Sequence, residues 1–193
     1  MAETPHKVSA QELARVFQED IYGLPDGKKI KACLQCGTCG GSCPTAYAMD
    51  YTPREIFAAF RAGMLDRVVQ SKSVWMCASC YQCTVRCPAG IKITDVMYEL
   101  KRLGTQYGMY PKDVTVPALS ETFVATVDRY GRQAEFEMMR KFYFRTGIFK
   151  AIKNLGLALK MRSRGRLALG GKKIKGRDDL LKIGKKVDEM TKV

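Results

Sequence analysis

All eight cysteines of this 193-residue chain fall in two short runs. The first reads Cys33-Leu-Gln-Cys36-Gly-Thr-Cys39-Gly-Gly-Ser-Cys43-Pro44. The second reads Cys77-Ala-Ser-Cys80-Tyr-Gln-Cys83-Thr-Val-Arg-Cys87-Pro88. Both follow C-x2-C-x2-C-x3-C-P, a spacing that suits thiolate ligation of an iron–sulfur cluster. A [4Fe–4S] cube needs four thiolates spread around it. Cysteines at i, i+3 and i+6 on a curled loop wrap one side, and the fourth ligand must come from elsewhere.

The spacing resembles that of two-cluster bacterial ferredoxins, in which the fourth cysteine of each run ligates the other cluster. Carried onto these positions, the resemblance implies Cys33, Cys36, Cys39 and Cys87 on cluster 1. It implies Cys77, Cys80, Cys83 and Cys43 on cluster 2. The expected cofactors are therefore two [4Fe–4S] clusters. Three other readings stay open. Two four-thiolate zinc sites normally use paired C-x2–4-C hooks without a third cysteine and C-P. A disulfide framework needs an oxidising compartment, and no signal peptide is apparent. Occupation of one run alone, or a [3Fe–4S] cluster, would follow from a lost ligand, and none is missing. Two full clusters leave no thiol for other chemistry. His6 is the only histidine and sits at the N-terminus, where a solvated role is expected. No dinucleotide fingerprint or P-loop is present. The chain reads as a non-catalytic electron relay with no substrate site of its own.

The elements that position these runs read as helices. Leu13, Val16 and Phe17 share a helical face from about Ala10 to Asp20, with Ser9 as N-cap. Leu24-Pro-Asp-Gly27 is a turn. Neither cysteine run should be regular helix or strand, since Gly37, Gly40 and Gly41 allow tight folding about an inorganic core. Thr52-Pro53-Arg54-Glu55 predicts a helix start with a capping box. That helix should present Ile56, Phe57, Phe60 and Met64, with a further helical turn or a second short helix over 64–69. After Pro88 a helix is expected near Thr94, burying Val96, Met97, Leu100 and Leu103 and ended by Gly104 and Gly108. The chain thus repeats cysteine run, proline and helix, with 44 residues from Cys33 to Cys77. Later helices are expected over 117–130 (Phe123, Val124, Val127, Tyr130), over 133–145, from a Thr146 cap (Ile148, Phe149, Ile152, Leu155, Leu159), and over 178–190. A basic loop, 170–176, precedes the last. The expected fold class is mainly α: an α-helical ferredoxin domain with two cluster-binding loops, plus a helical C-terminal extension. The expected divisions are an N-terminal helical arm, 1–27, a dicluster domain, 28–112, and a basic docking extension, 113–193.

Two such runs with helices between them, the first followed directly by Thr52-Pro53-Arg54-Glu55-Ile56, resemble the iron–sulfur C subunit of heterodisulfide reductase over about residues 28–112. That resemblance implies electron relay between a flavin-bearing protein like the reductase's A subunit and a catalytic protein like its B subunit. The basic extension suggests similarity to the heterodisulfide-reductase-like complexes of sulfur-oxidising prokaryotes, being longer than expected for the methanogen type. The cysteine motif is shared with iron–sulfur subunits of succinate dehydrogenase, fumarate reductase and glycolate oxidase, which form the runner-up. A reading of another class is a zinc-stapled basic binding protein.

Charge divides the chain. Residues 1–130 carry 15 Lys and Arg against 13 Asp and Glu, whereas residues 131–193 carry 18 against 6. The basic segment has apolar residues at helix-core spacing and no nucleic-acid motif, so nucleic acid is not an expected partner. Packing on acidic partner subunits is the first reading, and contact with an anionic membrane surface the second. No apolar run is long enough to span a bilayer, and the N-terminus lacks a secretory pattern. A cytoplasmic location is expected.

Overall fold

In the computed structural model, residues 9–167 and 170–191 are described; His6 and Val8 lie outside them. The first helix, α1 (Ala10–Gly23), begins where Ser9 Oγ accepts the Glu12 N–H at 3.2 Å. Leu13, Phe17 and Ile21 recur every fourth residue and are fully buried, which is the stripe a core-facing helix needs. Arg15 bridges Glu12 and Glu19 on the opposite, exposed face. The helix continues three residues beyond the expected Asp20. The Leu24–Gly27 turn then closes through Gly27 N–H to Leu24 O at 2.9 Å. A Cβ at Gly27 would lie 1.6 Å from Ile21 O, so only glycine lets the chain pass there.

Two compact units follow from the contacts, 1–114 and 115–193. In the first, a 3₁₀ turn (Gly27–Ala32) leads into the first cysteine run, which contains one helical turn, α2 (Thr38–Gly41). A second 3₁₀ turn (Ala46–Ala48) precedes α3 (Pro53–Arg61). The expected capping interaction is present: Glu55 Oε2 accepts the Thr52 N–H at 2.7 Å. Ile56 and Phe57 are buried, but the helix stops before Met64, which is exposed. Gly63 takes a left-handed φ of +69°, which ends the helix and turns Met64 away from its face. Residues 65–69 form a separate short helix, α4 (Leu65–Val69), with Leu65, Val68 and Val69 buried. The second cysteine run holds the matching turn α5 (Gln82–Val85), followed by α6 (Ile93–Gln106). The loops are therefore less irregular than the sequence predicts, each containing a single helical turn.

Helix α6 is the central element of this unit. Val96, Met97, Leu100 and Leu103 are buried in the core shared with α1 and α4. Gly104 does not end the helix. A Cβ there would meet Trp75 Cζ2 at 3.1 Å and Val69 Cγ1 at 3.4 Å, so this glycine permits close packing. Termination comes later, at Gly108, with φ +63°.

The second unit comprises α7 (Val116–Tyr130), α8 (Glu135–Thr146), α9 (Ile148–Lys153), α10 (Leu155–Ser163) and α11 (Arg177–Thr191). Helices α8 and α11 both pack on α7. The buried side of α7 is Pro117, Thr122, Thr126 and Tyr130, whereas Phe123 and Val124 face solvent. Gly131 ends α7 as expected, at φ +73°. Thr146 does not cap the next helix; its hydroxyl donates back to Phe142 O at 2.8 Å, closing α8. The helix expected from residue 146 is interrupted at Asn154. Helix makes up 63% of the fold, with no strand among the described residues.

Truncating the central helix tests this packing. Leu100→Ala should cost about 2–5 kcal/mol of stability and lower the thermal midpoint of the anaerobically purified chain. Phe149→Ala, at a side chain 84% exposed, should change the isolated chain by no more than about 0.5 kcal/mol.

Candidate metal centre

Each cysteine loop is curled by residues in left-handed backbone. In the first loop these are Gln35 (φ 56°) and Gly37 (φ 85°); in the second, Ser79 (φ 55°) and Tyr81 (φ 61°). The two pairs occupy equivalent positions, two and four residues after the first cysteine. Among the described residues only one other non-glycine residue, Asp26, has a positive φ. A non-glycine residue in this region costs about 1–2 kcal/mol, and such strain persists where surroundings hold it. Left-handed residues of this kind form concave arrays of N–H groups that suit an anionic core.

The loops, with the starts of α3 and α6, build two cavities. The first is walled by Cys33, Cys36, Cys39 and Cys87, with Arg54 and Phe57 from α3 and Ile93 from α6. The second is walled by Cys77, Cys80, Cys83 and Cys43, with Thr94 and Met97 from α6 and Pro53 from α3. Each cavity therefore gathers three thiols of one run and the fourth of the other. Cys36 and Cys80 are exposed, and the other six are partly buried. Among the described residues no three Cys, His, Asp or Glu side chains converge on a single metal ion. The thiols instead line the wall of a space, the arrangement a multi-iron core requires.

Four neighbouring side chains hydrogen-bond the sulfurs. Gln35 Nε2 donates to Cys33 Sγ at 3.5 Å, and Thr38 Oγ1 lies 3.4 Å from Cys36 Sγ. Thr45 Oγ1 lies 3.4 Å from Cys43 Sγ, and Thr94 Oγ1 3.8 Å from Cys83 Sγ. Burial pushes the Cys39 thiol up to about 11 and raises that of Cys83, whereas the Thr38 hydroxyl lowers that of Cys36. Bound iron supplies the positive charge that keeps such half-buried thiols deprotonated. The sequence reading singled out none of these polar neighbours as site residues. A threonine two places after Cys36, and again after Cys43, was the available signal.

A family model described as a 4Fe-4S dicluster domain matches residues 29–91. The chain carries a 4Fe-4S dicluster domain. Its cofactors are two [4Fe–4S] clusters. Over this dicluster domain and its flanks, the chain is similar to proteins named as C subunits of heterodisulfide reductases. It is 37% identical over 102 residues to the CoB–CoM heterodisulfide reductase iron–sulfur C subunit of Methanopyrus kandleri, covering 53% of each chain. It is 43% identical over 93 residues to the second such C subunit of the CoB–CoM heterodisulfide reductase of Methanocaldococcus jannaschii, covering 48% of this chain and 47% of that one. It is 36% identical over 112 residues to the C2 subunit of the H(2)/formate:CoB-CoM heterodisulfide,ferredoxin reductase of Methanococcus maripaludis, covering 54% and 60%. The chain thus spans about half the length of the curated relatives it matches. Because the M. kandleri match is the same share of both proteins, the two are similar in length.

The strained loop offers a direct test. Gly37→Ala should cost about 1–2 kcal/mol and hasten loss of the visible cluster absorbance in air or chelator. Gly41→Ala should leave the bleaching rate near that of the parent, since no atom lies within 4 Å of its added methyl and its φ is ordinary.

Proposed function

We propose that this chain is the electron-transfer iron–sulfur subunit of a heterodisulfide reductase or heterodisulfide-reductase-like complex. It relays electrons between a flavin-containing protein of the A-subunit type and a catalytic protein of the B-subunit type. In this reading Cys33, Cys36, Cys39 and Cys87 hold one cluster, and Cys77, Cys80, Cys83 and Cys43 hold the other. The observation that carries it is the grouping of thiols, three from one run and one from the other, around each cavity. The names of the relatives support the kind of complex. All eight cysteines are used as ligands, so bond-making chemistry belongs to a partner. A cytoplasmic location goes with this role. No helix among the described residues is long and apolar enough to cross a membrane.

The second unit is proposed to dock partner subunits. Its helices leave much apolar surface uncovered, including Phe144, Ile148, Phe149, Ile152 and Leu157. Helices α8, α9 and α10 enclose an apolar groove of about 580 Å³. The basic excess of residues 131–193 would attract an acidic partner. A concave groove suits an inserted protein segment better than a flat membrane surface.

Two experiments test the proposal. Cys87→Ser lies in the second run, yet it should perturb the cluster of the first run and leave one intact [4Fe–4S] signal by EPR. A change confined to the cluster of Cys77, Cys80 and Cys83 would refute the exchange of ligands. Deleting residues 146–193 should loosen co-purification with the flavoprotein and the cysteine-rich catalytic protein while cluster absorbance persists. Full co-purification of the truncated chain would sink the docking role.

A further inference from the structure

The two cavities follow one plan, which allows their differences to be read. Pro53 and Ile93 open α3 and α6 and lie 40 residues apart. At the same offset Phe57 matches Met97, one on the wall of each cavity. Arg61 matches Lys101. The Arg61 guanidinium donates to Cys33 O at 2.5 Å, and the Lys101 ammonium to Cys77 O at 3.0 Å. Each run therefore has one cation tethered to the carbonyl of its first cysteine. Sulfur hydrogen bonds also balance, with Gln35 and Thr38 at the first cavity and Thr45 and Thr94 at the second.

Among the lining residues, one matched position breaks the balance of charge. Arg54 lines the first cavity, and its counterpart at the second is Thr94. The Arg54 stem lies against the loop, its Cδ 3.6 Å from where a Cβ on Gly37 would be. Thr94 is buried and neutral, and its hydroxyl is 2.9 Å from that of Thr84. The next residue is acidic at both positions, Glu55 on α3 and Asp95 on α6, and so does not separate the two sites. Glu55 is held at the start of α3 by the Thr52 N–H and hydroxyl.

Net charge, hydrogen bonds to sulfur and solvent exposure set cluster potentials. With hydrogen bonds to sulfur and tethered cations matched, Arg54 is, among the described residues, the one charged side chain in the wall of either cavity. An added electron makes a site more negative, and a nearby guanidinium favours that state. Arginine keeps its charge throughout, so no proton transfer is required. We propose that Arg54 gives the site of Cys33, Cys36, Cys39 and Cys87 the higher reduction potential of the pair. The one-electron-reduced chain then holds its electron there. This inference rests on the ligand assignment proposed above. The reductant is any one-electron donor; one electron is gained by the pair and no bond is made or broken.

The test is a redox titration of the full, anaerobically purified chain with dithionite, followed by EPR. The parent should reduce in two resolved one-electron steps. Arg54→Gln should move the higher step to lower potential, toward the other. Arg54→Lys, which keeps the charge, should largely preserve the separation. Arg54 is exposed, so these variants spare the core. An Arg54→Gln chain in which the higher step does not move, or the lower one moves instead, overturns the inference. Iron and sulfide at about eight each per chain check the two-cluster reading separately. A parent chain with fewer overturns that reading, whereas a fully loaded parent with an unresponsive Arg54→Gln overturns only the inference.

Discussion

A curled C-x2-C-x2-C loop supplies three thiolates on one side of a cube, and the fourth must come from another part of the chain. Much of the first unit can be understood from that constraint. A fourth thiol drawn from the other run makes each cavity dependent on both loops. The loops must then lie side by side, and α2 and α5 do pack together. Neither loop has a hydrophobic core of its own. Their placement falls to α3 and α6, which begin at the cavity walls and whose buried faces join the common core. Strain at Gln35, Ser79 and Tyr81 is tolerable because the loop ends are fixed in this way.

The repeat in sequence becomes a repeat in structure with a change of spacing. The cysteine runs recur after 44 residues and the helix starts after 40, because the link from Pro44 to Pro53 is longer than that from Pro88 to Ile93. The longer link is anchored by side chains. Asp50 Oδ2 accepts the Lys72 N–H at 2.8 Å, and Ser73 Oγ accepts the Tyr51 N–H at 2.7 Å. These bonds fix the first cavity's helix without altering the plan it shares with the second. A duplicated plan carrying unlike residues gives two cavities that share an arrangement of thiols and differ in the charge of their lining.

The sequence disclosed those features whose causes are local. Ser9, Thr52, Pro53 and Glu55 act on their own first turns, so the starts of α1 and α3 were legible. The cysteine spacing likewise declares its chemistry through eight residues. What escaped depended on distant neighbours. Gly104 looks like a stop signal until Trp75 and Val69 are brought against it. Thr146 looks like an N-cap, but its hydroxyl turns back to Phe142 O. The N-terminal segment looks like an arm by position, yet Leu13, Phe17 and Ile21 supply part of the core beside α4 and α6. On α7, periodicity favoured Phe123 and Val124, whereas the packed side uses Thr122 and Thr126. Those threonines satisfy their hydroxyls within the helix, on Ala118 O and Thr122 O, and can therefore be buried without outside partners.

The second unit shows where the same periodicity argument stops. Leu155, Leu157 and Leu159 carry the composition of a core, and Leu155 and Leu159 share one side of α10 with Leu157 on another, yet all three are exposed. Helices α8 and α10 bury no residue fully, whereas α6 buries eight. An apolar side chain left in water forgoes about 1.5–3 kcal/mol relative to full burial, so several together represent a large unused driving force. Interspersed lysines and arginines keep such a surface soluble while disfavouring self-association through like charge. The combination is what the proposed docking to an acidic partner would draw on. Periodicity identifies these apolar residues as contact-makers, but their contacts need not lie within the chain itself.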